Sequence, residues 1–332
     1  MKLRVYVAPC GIGLGHITRS VLIADELKRR GNSIVFSTYL DGLDYAKQTH
    51  LPSYETVPIN FKVRSDGAID FKLTAATSGF SLGIRTFLRQ VTHEINFMKS
   101  FKPDVVFSDS RASSLVAARL LRIPVALMLN QFRVEIVKQP TARRLSPFDR
   151  FFFLIANLGW LFVRTAIGRV WGRSRIILIP DLPSPYTISL GNLAIPKRYE
   201  RKVRLIGPVV GDNSDSLNPA SALRNGLGLR GSRPLVYAAV SGPRIEREVL
   251  AEMLLEALRP LSDDYDIVLS RGDPTGERDP RRDRGIVVYD WIENQDDFRT
   301  TWEQNAKDPA KTLFLFLIAA YNFVHKDKTK GE

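Results

Sequence analysis

The chain is short of thiols, imidazoles and long apolar runs, and each shortage excludes something. Its 332 residues include one cysteine, Cys10, and four histidines. A lone thiol excludes an internal disulfide, so nothing in the sequence asks for an oxidising compartment. His16, His50, His93 and His325 fall in unrelated segments; with a single cysteine they provide no metal-ligand spacing, and no metal is expected. No uninterrupted apolar run reaches the roughly 20 residues that cross a bilayer. The opening MKLRVYVAP passes straight into a strand pattern, so no cleaved leader is expected. Acidic side chains are the scarcer charge, 35 against 48 Lys and Arg, for a net charge of +13.

That surplus points to an anionic partner. Its placement narrows the choice, because Arg143, Arg144, Arg150, Arg164, Arg169, Arg173 and Arg175 surround the most apolar stretch of the chain. A basic rim around apolar residues favours a membrane surface. SRGDPTGERDPRRDRG (270–285) mixes both signs without interleaved aromatics and reads as a solvated loop, so no nucleic-acid partner is expected.

What is present is an ordinary globular composition, 44% hydrophobic and 25% charged, over a length that fits two domains. Continuous apolar runs at 3–9, 32–39, 54–59, 104–109 and 125–130 predict strands covered on both faces. Helical periods at 16–31, 81–101 and 111–121 lie between them. A Gly, Asn, Ser and Pro-rich stretch at 211–234 reads as a linker. After it come strands at 235–240, 265–270 and 285–292 and a helix at 245–261. The expectation is an α/β chain with two Rossmann-like parallel sheets in tandem, 1–210 and 235–332.

YVAPCGIGLGHITRS (6–20) joins the first strand to the first helix through Gly11, Gly13 and Gly15. Such a turn leaves backbone N–H groups and the positive helix end open to an anion. The same glycines equally allow strand and helix to pack closely. A dinucleotide fingerprint wants G-x-G-x-x-G and an acid about 20 residues later. Here the third glycine comes one residue early, His16 follows it, and Asp41, the available acid, reads more simply as a helix cap. A neutral imidazole at a helix N-terminus is a candidate general base, or a donor to phosphate. Asp109, at the end of FSD, is placed to orient His16, to act as a second acid or base, or to cap the next helix, and Asn130 ends the neighbouring strand.

GIGLGHITR resembles the N-terminal glycine-rich loop of GT-B glycosyltransferases related to MurG and their archaeal and eukaryotic relatives. The resemblance implies that Gly11, Gly13 and Gly15 face an acceptor, with His16 as base or acceptor-binding group; from their places at strand ends, Asp109 is expected to join His16 in catalysis and Asn130 to reach the same acceptor crevice. It also implies a UDP-sugar, UDP-N-acetylglucosamine by family, as co-substrate with no other cofactor, and inverting transfer to a polyprenyl or dolichyl phosphate or pyrophosphate. YAAVSGPRIE (237–246) looks like the shortened donor-phosphate loop, which implicates Ser241, Gly242 and Arg244. VVYDWIENQDDF (287–298) is similar to the uracil-reading segment, which implicates Ile292 beside Trp291.

Beyond about 298 the family pattern of helix, strand and glycine-rich donor loop is not legible. The apolar run 313–324 reads either as a tail that closes the sheet or as the product of a lost reading frame, and in the second case a partner protein is expected. Within 146–175, Phe151 to Val163 would form an apolar helix about 20 Å long, short of a bilayer's roughly 30 Å. Arg150 and Arg164 bracket it. A monotopic anchor on an anionic leaflet, with Phe152, Trp160 and Arg164 in contact, is one reading; a buried helix or a dimer surface is the other. The expected location is the cytoplasmic face of the cell membrane. Two rival functions remain at this level: a UDP-sugar epimerase of the same fold, and a non-catalytic membrane-anchoring subunit.

Overall fold

In the computed structural model the described residues are 2–59, 71–130, 132, 151, 154, 165–166, 168–189, 193, 195–209, 229, 233–242, 244–292 and 312–318. The first sheet contains β1 (Arg4–Pro9), β2 (Ser33–Thr38), β3 (Ser53–Glu55), β4 (Val105–Asp109), β5 (Val125–Met128), β6 (Ile176–Ile179) and β7 (Val203–Leu205). Their order is β3-β2-β1-β4-β5-β6-β7, and every pairing is parallel. Helices α1 (Gly15–Arg29), α2 (Leu40–Gln48), α3 (Phe71–Phe101) and α4 (Ala112–Leu120) connect them.

Side-chain alternation divides the core of this sheet. Val5 and Val7 of β1 join Phe36, Phe107 and Ile17 of α1 on one face, while Tyr6 and Ala8 join Val106, Leu127, Met98 of α3 and Leu115 of α4 on the other. Both faces are therefore covered, which is why these strands read as continuous apolar runs rather than alternating ones. α1 stops where it should: Lys28 and Arg29 occupy its last turn, and Gly31 takes φ +85° just beyond it.

A buried charge network crosses the second face. Arg111 pairs with Glu94 of α3. Glu94 also accepts from Tyr6 Oη at 3.0 Å and Ser37 Oγ at 2.8 Å. Glu94, Arg111, Tyr6 and Ser37 are all buried. Burial, with the Glu94 charge beside it, pushes the Tyr6 phenol well above its ordinary range.

The second sheet contains β8 (Leu235–Ser241), β9 (Asp266–Ser270), β10 (Arg281–Asp283), β11 (Ile286–Tyr289) and β12 (Thr312–Ile318), in the order β10-β11-β9-β8-β12. α5 (Arg244–Leu258) follows β8. Leu255 and Leu258 of α5 pack with Val236, Ile267 and Val288 of the strands beneath.

One part of this sheet differs from the sequence reading. The segment 270–285 is not wholly loop, because β10 pairs antiparallel with β11. Positive φ at Arg284 (+45°) and Gly285 (+89°) makes the two-residue turn that hairpins favour. The apolar run near 313 supplies β12, which lies parallel to β8 with Thr312 opposite Leu235 and Ile318 opposite Ser241. That edge of β8 is paired. Residues 293–311 lie outside the described residues.

Candidate active site

The order of the first sheet reverses between β1 and β4, and ligand crevices in α/β sheets open at the carboxyl ends of the strands at such a point. Cys10, just past β1, donates its N–H to the Asp109 carbonyl at 2.9 Å, so the glycine turn starts directly above the end of β4. Its three glycines do different work. A Cβ on Gly11 would lie 1.9 Å from the Tyr39 carbonyl oxygen, so Gly11 provides close approach to the chain entering α2. Gly13 takes φ +69°, and a Cβ there would lie 3.4 Å from the Gly242 carbonyl carbon of the second domain. Gly15 has open space around it and begins α1, whose N-terminus no side chain caps.

Asp41 neither caps α2 nor stands free to hold a ribose. Its carboxylate accepts from the Gly13 N–H at 3.0 Å and from Arg247 Nη2 of α5 at 3.0 Å. This buried ion pair ties the glycine turn to the second domain. Burial raises the Asp41 carboxyl above the usual range, against the opposing pull of Arg247 and the Gly13 N–H.

His16 projects from the first turn of α1, and its Nδ1 lies 2.9 Å from Asp109 Oδ1. Asp109 is completely buried, whereas the His16 side chain is 21% exposed. Arg19, one turn further along the same face, donates from Nε to Asp109 Oδ2 at 2.5 Å and pairs with Oδ1 through Nη2. Its Nη1 donates to Asn130 Oδ1. Burial opposes ionisation of Asp109, but hydrogen bonds and charge from His16 and Arg19 hold its carboxyl below the ordinary range. An ionised Asp109 only accepts, so its contact with the ring calls for a proton on Nδ1; in a neutral ring that tautomer leaves the lone pair on Nε2. Arg19 Nη2 is also 3.0 Å from Nδ1; with the proton there, that proximity follows from both groups sharing Oδ1. The result is an oriented imidazole whose other nitrogen has no hydrogen-bond partner among the described residues, the arrangement of a general base.

The sequence reading placed His16, Asp109 and Asn130 near one another but missed Arg19, which links all three. The available signal was its i, i+3 spacing from His16.

On the other side, Ser241 ends β8, Gly242 takes φ +129°, and Arg244 begins α5 with its Nε donating to Glu248 at 3.3 Å. The Ile292 side chain is buried with Leu235, Tyr237, Val268 and Val287. Trp291 instead crosses to the first domain, with its ring centroid 6.0 Å from that of Tyr45 in an edge contact. Among the described residues no cluster of His, Cys, Asp and Glu fit to hold a metal is found. Phe152, Trp160 and Arg164 lie outside the described residues. Of their neighbours, Phe151 and Leu154 are 61% and 56% exposed. No helix among the described residues is long and apolar enough to cross a membrane.

Two Rossmann-like sheets in tandem, meeting at the loops that leave β1 and β8, define the GT-B class of fold. One solved structure shares this architecture. The spinosyn forosaminyltransferase SpnP superposes with a TM-score of 0.52 over 95% of this chain and 80% of that one, at 15% identity. No protein-family model matches the chain. An uncharacterized glycosyltransferase of Methanosarcina mazei is 31% identical over 217 residues, 63% of this chain and 51% of the relative. A protein of the same description from Methanosarcina acetivorans is 28% identical over 218 residues, 63% and 50% of the two chains. The chain spans about half the length of the curated relatives it matches.

Proposed function

We propose that the protein is an inverting glycosyltransferase that moves a sugar, N-acetylglucosamine by family resemblance, from a UDP-sugar to a lipid-linked phosphate or pyrophosphate acceptor. The observation that carries this reading is the His16–Asp109 pair, buried at one end and partly exposed at the other, at the sheet switch point.

In the proposed reaction His16 Nε2 takes the proton of the acceptor hydroxyl as that oxygen bonds to the sugar's anomeric carbon. The bond from that carbon to the diphosphate breaks, and UDP leaves with the electron pair. Asp109 balances the imidazolium that forms, and Arg19 and Asn130 hold the carboxylate and ring in place. The uncapped N-terminus of α1, reached past Gly15, suits the acceptor's phosphate. The donor's diphosphate would meet Ser241, Gly242 and Arg244. Attachment to the cytoplasmic face of the membrane through 146–175, with Phe152, Trp160 and Arg164 touching an anionic leaflet, would keep the enzyme where a lipid acceptor resides.

The test is incubation of the purified protein with UDP-N-acetylglucosamine and vesicles carrying a polyprenyl phosphate or pyrophosphate sugar, with chromatography of both nucleotide and lipid. A sugar-bearing lipid with matching UDP release is expected. An epimerised UDP-sugar with no lipid product would replace this reading with the epimerase. Vesicle binding without any turnover would leave a membrane-anchoring subunit.

A further inference from the structure

Arg111 lies two residues past Asp109 and has no part in the proposed chemistry, yet it is 2% exposed and buried with its charge. Such a guanidinium is costly unless its donors are used. Here all three nitrogens have partners, drawn from four elements of the first domain. Nη2 pairs with Glu94 of α3 and donates to Ser37 Oγ of β2 at 3.2 Å. Nη1 donates to the Ser37 carbonyl and lies 3.5 Å from the carbonyl of Pro9, the last residue of β1. Nε donates to Ser113 Oγ of α4 at 3.4 Å.

This one residue reaches both halves of the His16–Asp109 pair. Toward Asp109 the link is the chain itself. Ser110, between the two, takes φ +57°, a conformation that a residue with a Cβ holds only when its surroundings impose it. The turn it makes sends Asp109 to His16 and Arg19 of α1 and sends Arg111 to Glu94 of α3. Three bonds fix that turn: the Arg111 carbonyl accepts from Ser108 Oγ at 3.0 Å and Ser114 Oγ at 2.9 Å, and the Ser110 N–H donates to the Met128 carbonyl at 3.0 Å.

Toward His16 the link is Tyr39. Its ring centroid lies 5.3 Å from the Arg111 guanidinium carbon. Its hydroxyl lies 3.5 Å from Cys10 Sγ, and its carbonyl is the atom that a Cβ on Gly11 would strike. Tyr39 therefore backs the start of the glycine turn, which leads into α1 and His16.

We propose that Arg111 is a positioning residue: braced by Glu94, it holds the Asp109 turn and the glycine turn in the arrangement that brings Asp109 to His16 Nδ1. Its importance for catalysis rests on the proposed role of His16 as the base. Its effect on the ring does not.

The test reads the His16 ring itself by nuclear magnetic resonance, in the full chain labelled at the histidine nitrogens. The chain has four histidines, and His16→Gln identifies the signal that belongs to His16. The tautomer of a neutral ring follows the hydrogen bond it makes, so wild type should show Nδ1–H alone, and Asp109→Ala should show a mixture. Glu94→Leu with Arg111→Met removes the brace without stranding a charge, so the domain should stay folded while the ring loses its single tautomer. Arg111→Lys keeps a charge for Glu94 but not the planar fork that reaches Pro9 and Ser37 together, and should lose part of the signature. Nδ1–H alone in the double variant, with unchanged circular dichroism, overturns the proposal. Should that variant fail to fold, Nδ1–H alone in Arg111→Lys overturns it instead. No sugar transfer is measured, so a failure of the proposed function leaves this result standing, and a failure here leaves transfer to be judged by its own assay.

Discussion

Replacing Glu94 with alanine should cost the first domain a large part of its stability. Glu94 is completely buried and Arg111 is 2% exposed, so truncation strands a guanidinium in the core with no counter-ion. It also removes the acceptor for Tyr6 Oη and Ser37 Oγ. Breaking a buried pair from one side costs about 3–5 kcal/mol, and the lost hydrogen bonds are part of that figure rather than an addition to it. Against a total of about 5–15 kcal/mol for a domain, this is about a fifth or more. Glu94→Gln keeps the shape and an acceptor oxygen and should fall between alanine and wild type. The double change Glu94→Leu with Arg111→Met removes both charges and should recover about 2 kcal/mol or more of the loss. Urea unfolding followed by far-ultraviolet circular dichroism reads all three. Glu94→Ala within about 1 kcal/mol of wild type, or a double variant as weak as the sum of the singles, would refute the reasoning.

Gly11→Ala should fail to fold or melt far below wild type, since the added Cβ meets the Tyr39 carbonyl at 1.9 Å, whereas Gly15→Ala has open space and should melt no lower; thermal melts compare them, and Gly15→Ala should still lose transfer if a ligand approaches the backbone there. Asp181 accepts from Ser189 Oγ and the N–H groups of Leu182, Ile188 and Ser189, and these bonds pull its carboxyl from 3.8 down to about 2. A carboxyl lowered by folding stabilises the protein above its unfolded value and loses that contribution as pH falls through the folded one. Stability should therefore decline between about pH 4 and pH 2, and Asp181→Asn should show a shallower decline in acid titrations. Charged residues at Phe152 and Trp160 should move the protein from the membrane pellet to the supernatant; unchanged sedimentation would remove the anchor from the account.

The parts that were legible in the sequence are those where one local signal suffices. Val5, Val7 and Phe36 sit in continuous apolar runs because both sheet faces are covered, so β1, β2, β4, β5, β8, β9 and β11 were readable as strands. β6 and β7, four and three residues long, are too short to carry a period and went unread. α2 was foreshadowed only by Asp41 read as a helix cap, and no helix was read after it; Gly42 is needed there because a Cβ would lie 2.5 Å from Thr38 Oγ1. β10 was hidden by its charges, which an edge strand tolerates.

The same division holds at the site. His16 and Asp109 stood out by residue type and position at strand and helix ends. The partnership of Asp41 with Arg247 joins residues 206 positions apart in different domains, and no spacing rule reports a contact of that kind.

The central claim is that His16, held by Asp109, is the base that activates an acceptor hydroxyl. Single-turnover transfer from UDP-N-acetylglucosamine to the lipid acceptor, comparing wild type with His16→Ala at equal membrane binding, tests it most directly. The account predicts a loss of about 10²–10⁴-fold in the rate of the chemical step. Equal rates for the two proteins would contradict it.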